Sequence, residues 1–323
     1  MFGGESNPPA FPGRVDTADV VHVETLTGAL RTLDHEYGGG SCREAAIALL
    51  DWATPMMSAD AAGQVRDRLS VAIADLHNLA GWASFDLGLL ESAHAHFGRA
   101  MELAKKAGNS ALEADILYRM GRVHLHYDLA EDALASFQRG LPIAQASGSL
   151  LAVSILHANE AWAFAKMGAE RQALRQFARA QEEFWNAGDE EAPPWARFFD
   201  EADLVSIGGI VHTELARTCD VKYARSAIPL LTKAISTAGA NSSRSQSFRY
   251  AALSMSHLLT NDAEAAHDAG TSAITLSGPI RSVRTRDRMR PLKAEAERFT
   301  GSRAAGELAE RLAQFVGSAR GAA

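Results

Sequence analysis

The sequence predicts an all-α protein: a solenoid of stacked helical hairpins with capping helices at its N-terminal and C-terminal ends. The first observation is a pattern centred on Phe97, Phe137 and Phe177, which recurs every 40 residues. The second is that the residues around each Phe follow helical spacing. The third is that no stretch of useful length alternates polar and apolar residues as a half-buried strand does. Self-similarity at a fixed period of this size is the signature of a repeat architecture.

The three repeated stretches read "GLLESAHAHFGRA", "DLAEDALASFQRG" and "GAERQALRQFARA". In the first copy Ala93, Phe97 and Ala100 lie at positions i, i+4 and i+7, so they share one face of a helix. Small residues on both sides let a neighbouring helix approach, and the Phe fills the space between them. Each copy begins with a Gly or Asp, five residues before its first Ala, where a tight turn needs unusual backbone angles. We therefore predict helix, turn, helix in each unit, and stacking of successive units to bury their apolar faces.

Other elements follow from the same reasoning. The helical stretch "DTADVVHVETLTGALRTLDHEY" stops at Gly38–Gly40, and a second helical stretch, "SCREAAIALLDWATPMM", comes next. Two weaker copies of the repeat, "ARSAIPLLTKAI" and "AAHDAGTSAI", lie beyond an insertion that contains Pro193 and Pro194. The predicted boundaries are a disordered N-terminus at 1–14, capping helices at 15–58, three regular helix pairs at 59–188, an irregular insertion at 189–209, two degenerate helix pairs at 210–280, and C-terminal capping helices with a tail at 281–323.

Composition and the absence of known motifs argue against several classes of function. The chain has 323 residues and a net charge of −7, which argues against a nucleic-acid-binding surface. No run of about 18 apolar residues indicates a membrane span, and Cys42 and Cys219 form neither a disulfide framework nor a metal-ligand pattern. No phosphate-binding loop, nucleophile elbow or zinc motif is present. We expect a cytoplasmic protein with no membrane contact, no direct nucleic-acid binding, no cofactor, no metal and no assigned catalytic residue.

The repeat motif resembles the tetratricopeptide repeat, in which a small residue, an aromatic residue and Ala follow a Gly-bearing turn. The match is weaker in the first helix of each unit, where His77, Leu117 and His157 stand in place of an expected Trp. The period of 40 residues also exceeds the family's usual value of about 34.

The stretches "GGG", "AGWASFD" and "PPWARFFDEADL" are, in that order, similar to the C-terminal region of actinobacterial helix-turn-helix transcription regulators. This resemblance covers about residues 14 to 300. Only about a dozen residues precede Arg14, too few for a helix-turn-helix. The resemblance therefore implies a sensing or partner-binding region in transcriptional or secondary-metabolism control, without DNA binding.

A groove along the first helices is the predicted site, because those helices line the concave face of such a stack. Read across the three regular units, Trp82, Arg122 and Trp162 form one row, and Trp and Arg are residue types that anchor binding surfaces. We predict that the groove binds a peptide, a protein segment or a small signal. The full set of predicted binding residues is Asn78, Trp82, Asp86, Tyr118, Arg122, His126, Trp162 and Lys166, with a second cluster of Trp195, Asp200 and Glu201 at the insertion.

Alternative interpretations stay open at this point. The tryptophans could serve interhelical packing, and the basic stretch from Arg281 to Arg298 is better explained as a solvated face than as a partner surface. The runner-up function is an enzyme of secondary metabolism, with acid–base groups drawn from His124, His126, His157 and Glu160; a structural polar network is the simpler explanation for these groups. The apolar stretch Ala251–Leu259 could also support a homodimer.

Overall fold

The computed structural model describes residues 13–189, 191–237 and 243–317. The disorder predicted for residues 1–14 falls, except for residues 13 and 14, outside this part of the chain, as does the end of the predicted tail. The α-helices are α1 Thr17–Tyr37, α2 Arg43–Ala53, α3 Gly63–Asp86, α4 Leu90–Lys106, α5 Ser110–His126, α6 Ala130–Ala146, α7 Leu150–Lys166, α8 Glu170–Ala187, α9 Glu201–Thr218, α10 Lys222–Thr237, α11 Ser243–Leu259, α12 Ala263–Ser277, α13 Val283–Asp287, α14 Arg290–Ala296 and α15 Arg303–Gly317, with short 3₁₀ helices at Gly39–Ser41 and Thr54–Ser58.

Five helical hairpins form the body of the molecule: α3 with α4, α5 with α6, α7 with α8, α9 with α10, and α11 with α12. Each hairpin also packs on the next, so the units lean on one another in series. The described residues contain no strand, only an isolated bridge between Arg14 and Asp60. The predicted all-α helical solenoid is confirmed.

The recurring Phe packs as its spacing indicates. Phe97 and Phe137 are both buried, and each lies against a Gly of the other helix of its hairpin, Gly81 and Gly121. The turn between the two helices has a positive φ, 79° at Gly88 and 70° at Gly168. Asp128 takes the same place with φ 59°, and Asn261 does so in the last hairpin with φ 61°.

The pattern changes in the later units. Ala161 replaces the Gly of the third hairpin, and Phe177 lies instead against Gly208 of the following helix, α9. In the fourth hairpin Leu231 packs on Gly209, and in the fifth Gly270 leaves a space that Leu308 of α15 fills. A capping helix therefore completes the degenerate last unit.

The insertion is shorter than predicted. Turns and extended backbone end at Asp200, and α9 begins at Glu201 instead of near residue 210. The reason is local: the Asp200 side chain accepts a hydrogen bond of 2.9 Å from the backbone N–H of Asp203, which caps the helix.

The C-terminal segment returns to the N-terminal helices. The N–H of Arg281 donates to the carbonyl of Tyr37 at 3.0 Å, and the N–H of Gly40 donates to the carbonyl of Arg281 at 3.1 Å. A side chain at Gly39 would overlap the backbone of Ala83 on α3. The glycine run thus ends α1, as predicted, and also gives the C-terminal segment a place to dock, which closes the solenoid across its concave face.

A central cavity lined by arginine and aromatic side chains

A cavity of about 440 Å³ lies at the centre of the molecule. The first helix of every hairpin contributes to its wall, which is the concave surface that stacking predicts. Helix α1, the segment 194–200 and the α13 region complete the wall. Helices α11 and α13 cross back towards α1 and α3, so the cavity is bounded on more sides than the groove expected from the sequence, while it stays open to solvent.

Aromatic rings form much of this wall. Trp195 stacks on Tyr118 with ring centroids 5.8 Å apart, and Phe198 stacks on the same tyrosine at 6.3 Å. The insertion therefore contributes directly to the cavity. The aromatic residues that line it are Trp82, Tyr118, Trp162, Trp195, Phe198, Phe199 and Phe248.

Seven arginines line the same cavity, although the chain as a whole is acidic. Five of them have a carboxylate partner. The pairs are Arg31 with Asp75 at 2.6 Å, Arg119 with Asp115 at 3.0 Å, Arg244 with Asp34 at 3.3 Å, Arg249 with Asp203 at 2.8 Å and Arg284 with Asp86 at 2.8 Å.

The other two, Arg122 and Arg288, have no carboxylate partner within the described residues. Arg122 donates to the hydroxyl of Tyr118 at 3.2 Å and to the amide oxygen of Asn159 at 3.4 Å, both neutral groups. The Arg288 guanidinium lies over the rings of Phe248 and Trp162, at 4.5 Å and 4.7 Å from their centroids.

Burial lowers the pKa of two of these arginines, Arg284 and Arg288. It lowers the pKa of Arg284 to about 10, even though the Asp86 carboxylate opposes that shift. For Arg288 burial also lowers the pKa, and repulsion from Arg122 and Arg284 adds to the effect. Arginine stays protonated in proteins, so these guanidinium groups carry positive charge at a wall that disfavours it.

Two tryptophan side chains at this wall have a buried N–H donor without an acceptor among the residues that the structure describes. Trp162 and Trp195 are each more than nine-tenths buried, yet no described residue accepts a hydrogen bond from their Nε1 atoms. The Nε atom of Arg122 is likewise buried without an acceptor in the described part of the chain. Buried donors are normally paired, so this wall is short of acceptors.

The structure brings together six of the predicted binding residues. Trp82, Arg122 and Trp162, the row read across the units, all face the cavity, and the Arg122 guanidinium lies 5.0 Å from the centroid of Trp162. The six that line the cavity are Trp82, Tyr118, Arg122, Trp162, Trp195 and Asp200.

Three of the remaining five, Asn78, Asp86 and His126, contact other protein groups and do not face the cavity. Asn78 is buried and donates to Asp115 at 2.6 Å. Asp86 is fully buried and joins Arg284 to the N–H of Gly39, at 2.8 and 2.9 Å.

The other two bind surface partners and do not line the cavity. Lys166 pairs with Asp128 and lines a separate polar depression of about 510 Å³. Glu201 is exposed and pairs with Lys233. The predicted residues Asp86, His126 and Lys166 are thus dispersed, because His126 also turns away, towards Asp287 at 3.6 Å.

The basic C-terminal stretch is not the solvated face that its charge pattern predicts. Arg284 is only 4% exposed and Arg288 faces the cavity, so this part of Arg281–Arg298 is not a solvated face. The spacing contained the signal: Arg284 on α13 and Arg288, the residue directly after it, are four residues apart, as neighbours on one side of a helix are. It was ambiguous because solvated helices have the same charge spacing.

The histidines proposed for acid–base chemistry do not meet at the cavity. His157 and Glu160 share a buried hydrogen bond of 2.9 Å, as their spacing suggested. His124 Nδ1 lies 3.3 Å from the hydroxyl of Ser136, on the next helix of its own hairpin. Across the described ranges, no group of three or more His, Cys, Asp or Glu is placed to hold a metal ion.

Comparison with known proteins adds one similarity. No family model matches the chain. Over 175 residues it is 26% identical to outer dynein arm-docking complex subunit 4 of Danio rerio, an alignment that covers 54% of this chain and 32% of that protein. The chain thus spans about a third of that relative's length. This similarity and the stacked helical hairpins both fit a helical repeat architecture. The chain is a helical repeat protein. None of the helices described for it is both long and apolar enough to cross a membrane.

Proposed function

We propose that this repeat protein is a binding module that holds a small signal molecule, or a short segment of another protein, in its central cavity. The observation that carries the proposal is the convergence of Trp82, Arg122 and Trp162, from three successive units, on the wall of one cavity. Cavities with apolar walls and a few directed polar groups are the usual form of a ligand site. The similarity to a subunit of a docking complex supports a role in interaction.

Size and closure favour a small ligand over an extended one. Sites for small molecules have volumes of roughly 300–1,000 Å³, and the cavity, at about 440 Å³, lies within that range. A long peptide would have to pass the contacts between the C-terminal segment and α1. A regulatory setting in the cytoplasm, in transcriptional or secondary-metabolism control, is the further part of the proposal and rests on the resemblance described above.

Two other interpretations receive no support from the geometry. Catalysis is not proposed, because His124, His157 and Glu160 do not line the cavity. Homodimerisation through the stretch Ala251–Leu259 is not proposed either, because Met255 and Leu258 of that stretch are buried against other helices of the same chain.

The proposal predicts that a ligand which raises the melting temperature of the wild-type protein loses this effect in the double variant Trp82→Ala/Arg122→Ala. Both side chains line the cavity, so their removal takes away contacts while the helical framework stays. The measurement is a thermal-shift screen of metabolites and short peptides, followed by calorimetry on each hit.

A matched control is the pair Trp185→Ala/Arg179→Ala, which removes the same two residue types from the exposed surface of α8. The control should keep full affinity, and circular dichroism should show equal helicity in all three proteins. Hits that bind the double variant as tightly as the wild type would contradict the proposed site.

A further inference from the structure

The unpaired charge at the cavity wall indicates the chemical class of the ligand. Arg122 and Arg288 both contact Trp162, with guanidinium-to-ring distances of 5.0 and 4.7 Å. No carboxylate in the described chain pairs with either. The acidic group that acts on Arg288 from nearby, Glu214, is bound to Arg217 at 2.8 Å.

The carboxylates that line the cavity do not compensate this charge. Asp34 pairs with Arg244 and Asp203 pairs with Arg249. Asp200 is exposed at the rim, where its side chain caps α9. Two guanidinium groups beside one indole therefore remain without an anion, although isolated buried charge is costly unless it is paired.

The guanidinium groups themselves point to the same chemistry. A carboxylate, sulfonate or phosphate group supplies several acceptor oxygens and a negative charge, and arginine binds such groups through two parallel hydrogen bonds. A cationic ligand would instead be repelled by Arg122 and Arg288.

The walls beside this charge are flat rings. Tyr118 and Trp195 stack on one side, and Phe248 lies under Arg288. Aromatic rings prefer offset-stacked or edge-on partners, and guanidinium planes stack on aromatic faces. The wall thus matches a planar molecule better than a branched or strongly hydrated one.

We infer that the cavity binds a small planar aromatic anion, whose acidic group is held by Arg122 and Arg288 and whose ring lies among Trp162, Tyr118 and Trp195. This inference rests on the proposed function and specifies the ligand class of the same site. One anion would supply negative charge to both arginines. Arg122 on α5 and Arg288 after α13 lie close enough for this because both contact the indole of Trp162.

Naphthalene-2-carboxylate and its neutral carboxamide test the inference, because they share a ring and differ in charge. Calorimetry on the wild-type protein should show at least about tenfold tighter binding of the carboxylate, since charged partners form the stronger hydrogen bonds. Inorganic phosphate, which has charge but no ring, should bind more weakly than the carboxylate.

Arg288→Met removes the charge and keeps a long apolar side chain, and it should reduce the preference for the carboxylate to within about threefold. Arg288→Lys should retain part of the preference. Arg179→Met, on the exposed surface of α8, is the control and should leave the wild-type preference unchanged.

Equal binding of the two naphthalene probes, or an unchanged preference in Arg288→Met, would overturn the inference and leave the cavity as a neutral binding site. Phosphate binding as tight as that of the carboxylate would overturn the aromatic part. If the carboxylate fails to bind, the inference is wrong, and the screen of Trp82→Ala/Arg122→Ala still decides the proposed function independently.

Discussion

Partly buried ion pairs tie separate helices together at the residue scale. Arg31 on α1 binds Asp75 on α3, and Arg249 on α11 binds Asp203 on α9. Removing two charges from water costs free energy that their attraction only partly restores. Such pairs therefore contribute more to the placement of neighbouring helices than to stability.

His77 and His96 form a second kind of contact, half-buried between α3 and α4, with their Nδ1 atoms 2.9 Å apart. Burial lowers the pKa of His77 to about 4, and repulsion from His96 and Arg99 adds to the shift. Burial and the charge of Arg43 also lower the pKa of His96. The native state therefore holds this pair neutral.

We predict that the free energy of unfolding falls as pH decreases from about 6.5 towards 4. The unfolded chain binds a proton at His77 near its ordinary pKa of 6.5, while the folded chain does not bind it until about pH 4. Stability from this group is thus complete above pH 6.5 and is lost as pH falls. Urea unfolding at pH 7.5 and pH 5 measures the loss, which should be smaller in His77→Asn.

His22→Asn, at an exposed position of α1, is the control and should show the same loss as the wild type. An identical loss in His77→Asn and the wild type would show that His77 does not contribute.

At the scale of the element, the hairpin depends on a close approach between a Gly and the recurring Phe. Gly121 lies so near the ring of Phe137 that an added Cβ would overlap it. The third hairpin has Ala161 at the corresponding place and sends Phe177 towards Gly208 instead. The recurring Phe thus lies against a Gly in each regular unit, within its own hairpin in the first two and on α9 in the third.

Gly121→Ala should destabilise the protein by about 1–3 kcal/mol, because an overfilled core forces shifts of side chain and backbone. Gly98→Ala, on the exposed side of α4 with open space around it, should instead stabilise by about 0.5–1 kcal/mol. Chemical denaturation of both variants measures the difference. A neutral Gly121→Ala would contradict the close contact.

Local spacing is enough to predict these hairpins. The interval between Phe97, Phe137 and Phe177 specified the three regular units, and the row of Trp82, Arg122 and Trp162 specified one wall of the cavity. Arg288 could not be placed in this way, because its position depends on how far the stack of hairpins has turned by the time the chain reaches it. That angle accumulates over many small rotations, and no short motif encodes it.

At the scale of the whole molecule, contact between the C-terminal segment and the helices α1 and α3 converts a groove into a cavity. Asp86 and Arg284 are 198 residues apart in sequence, yet their side chains meet at 2.8 Å in a fully buried position. Arg244 adds a second contact to Asp86 at 3.7 Å and also binds Asp34. The same closure that brings these groups together places Arg288 beside Trp162, so the proposed site exists only if the two ends meet.

A double-mutant cycle with Asp86→Asn and Arg284→Met tests closure most directly. Removing one partner of a buried pair leaves an uncompensated charge, so each single variant should lose about 3–5 kcal/mol of unfolding free energy. The double variant should lose clearly less than the sum, with a coupling energy of about 2 kcal/mol or more. Additive losses, with a coupling below about 0.5 kcal/mol, would mean that the C-terminal segment does not reach α3 and that the cavity is open.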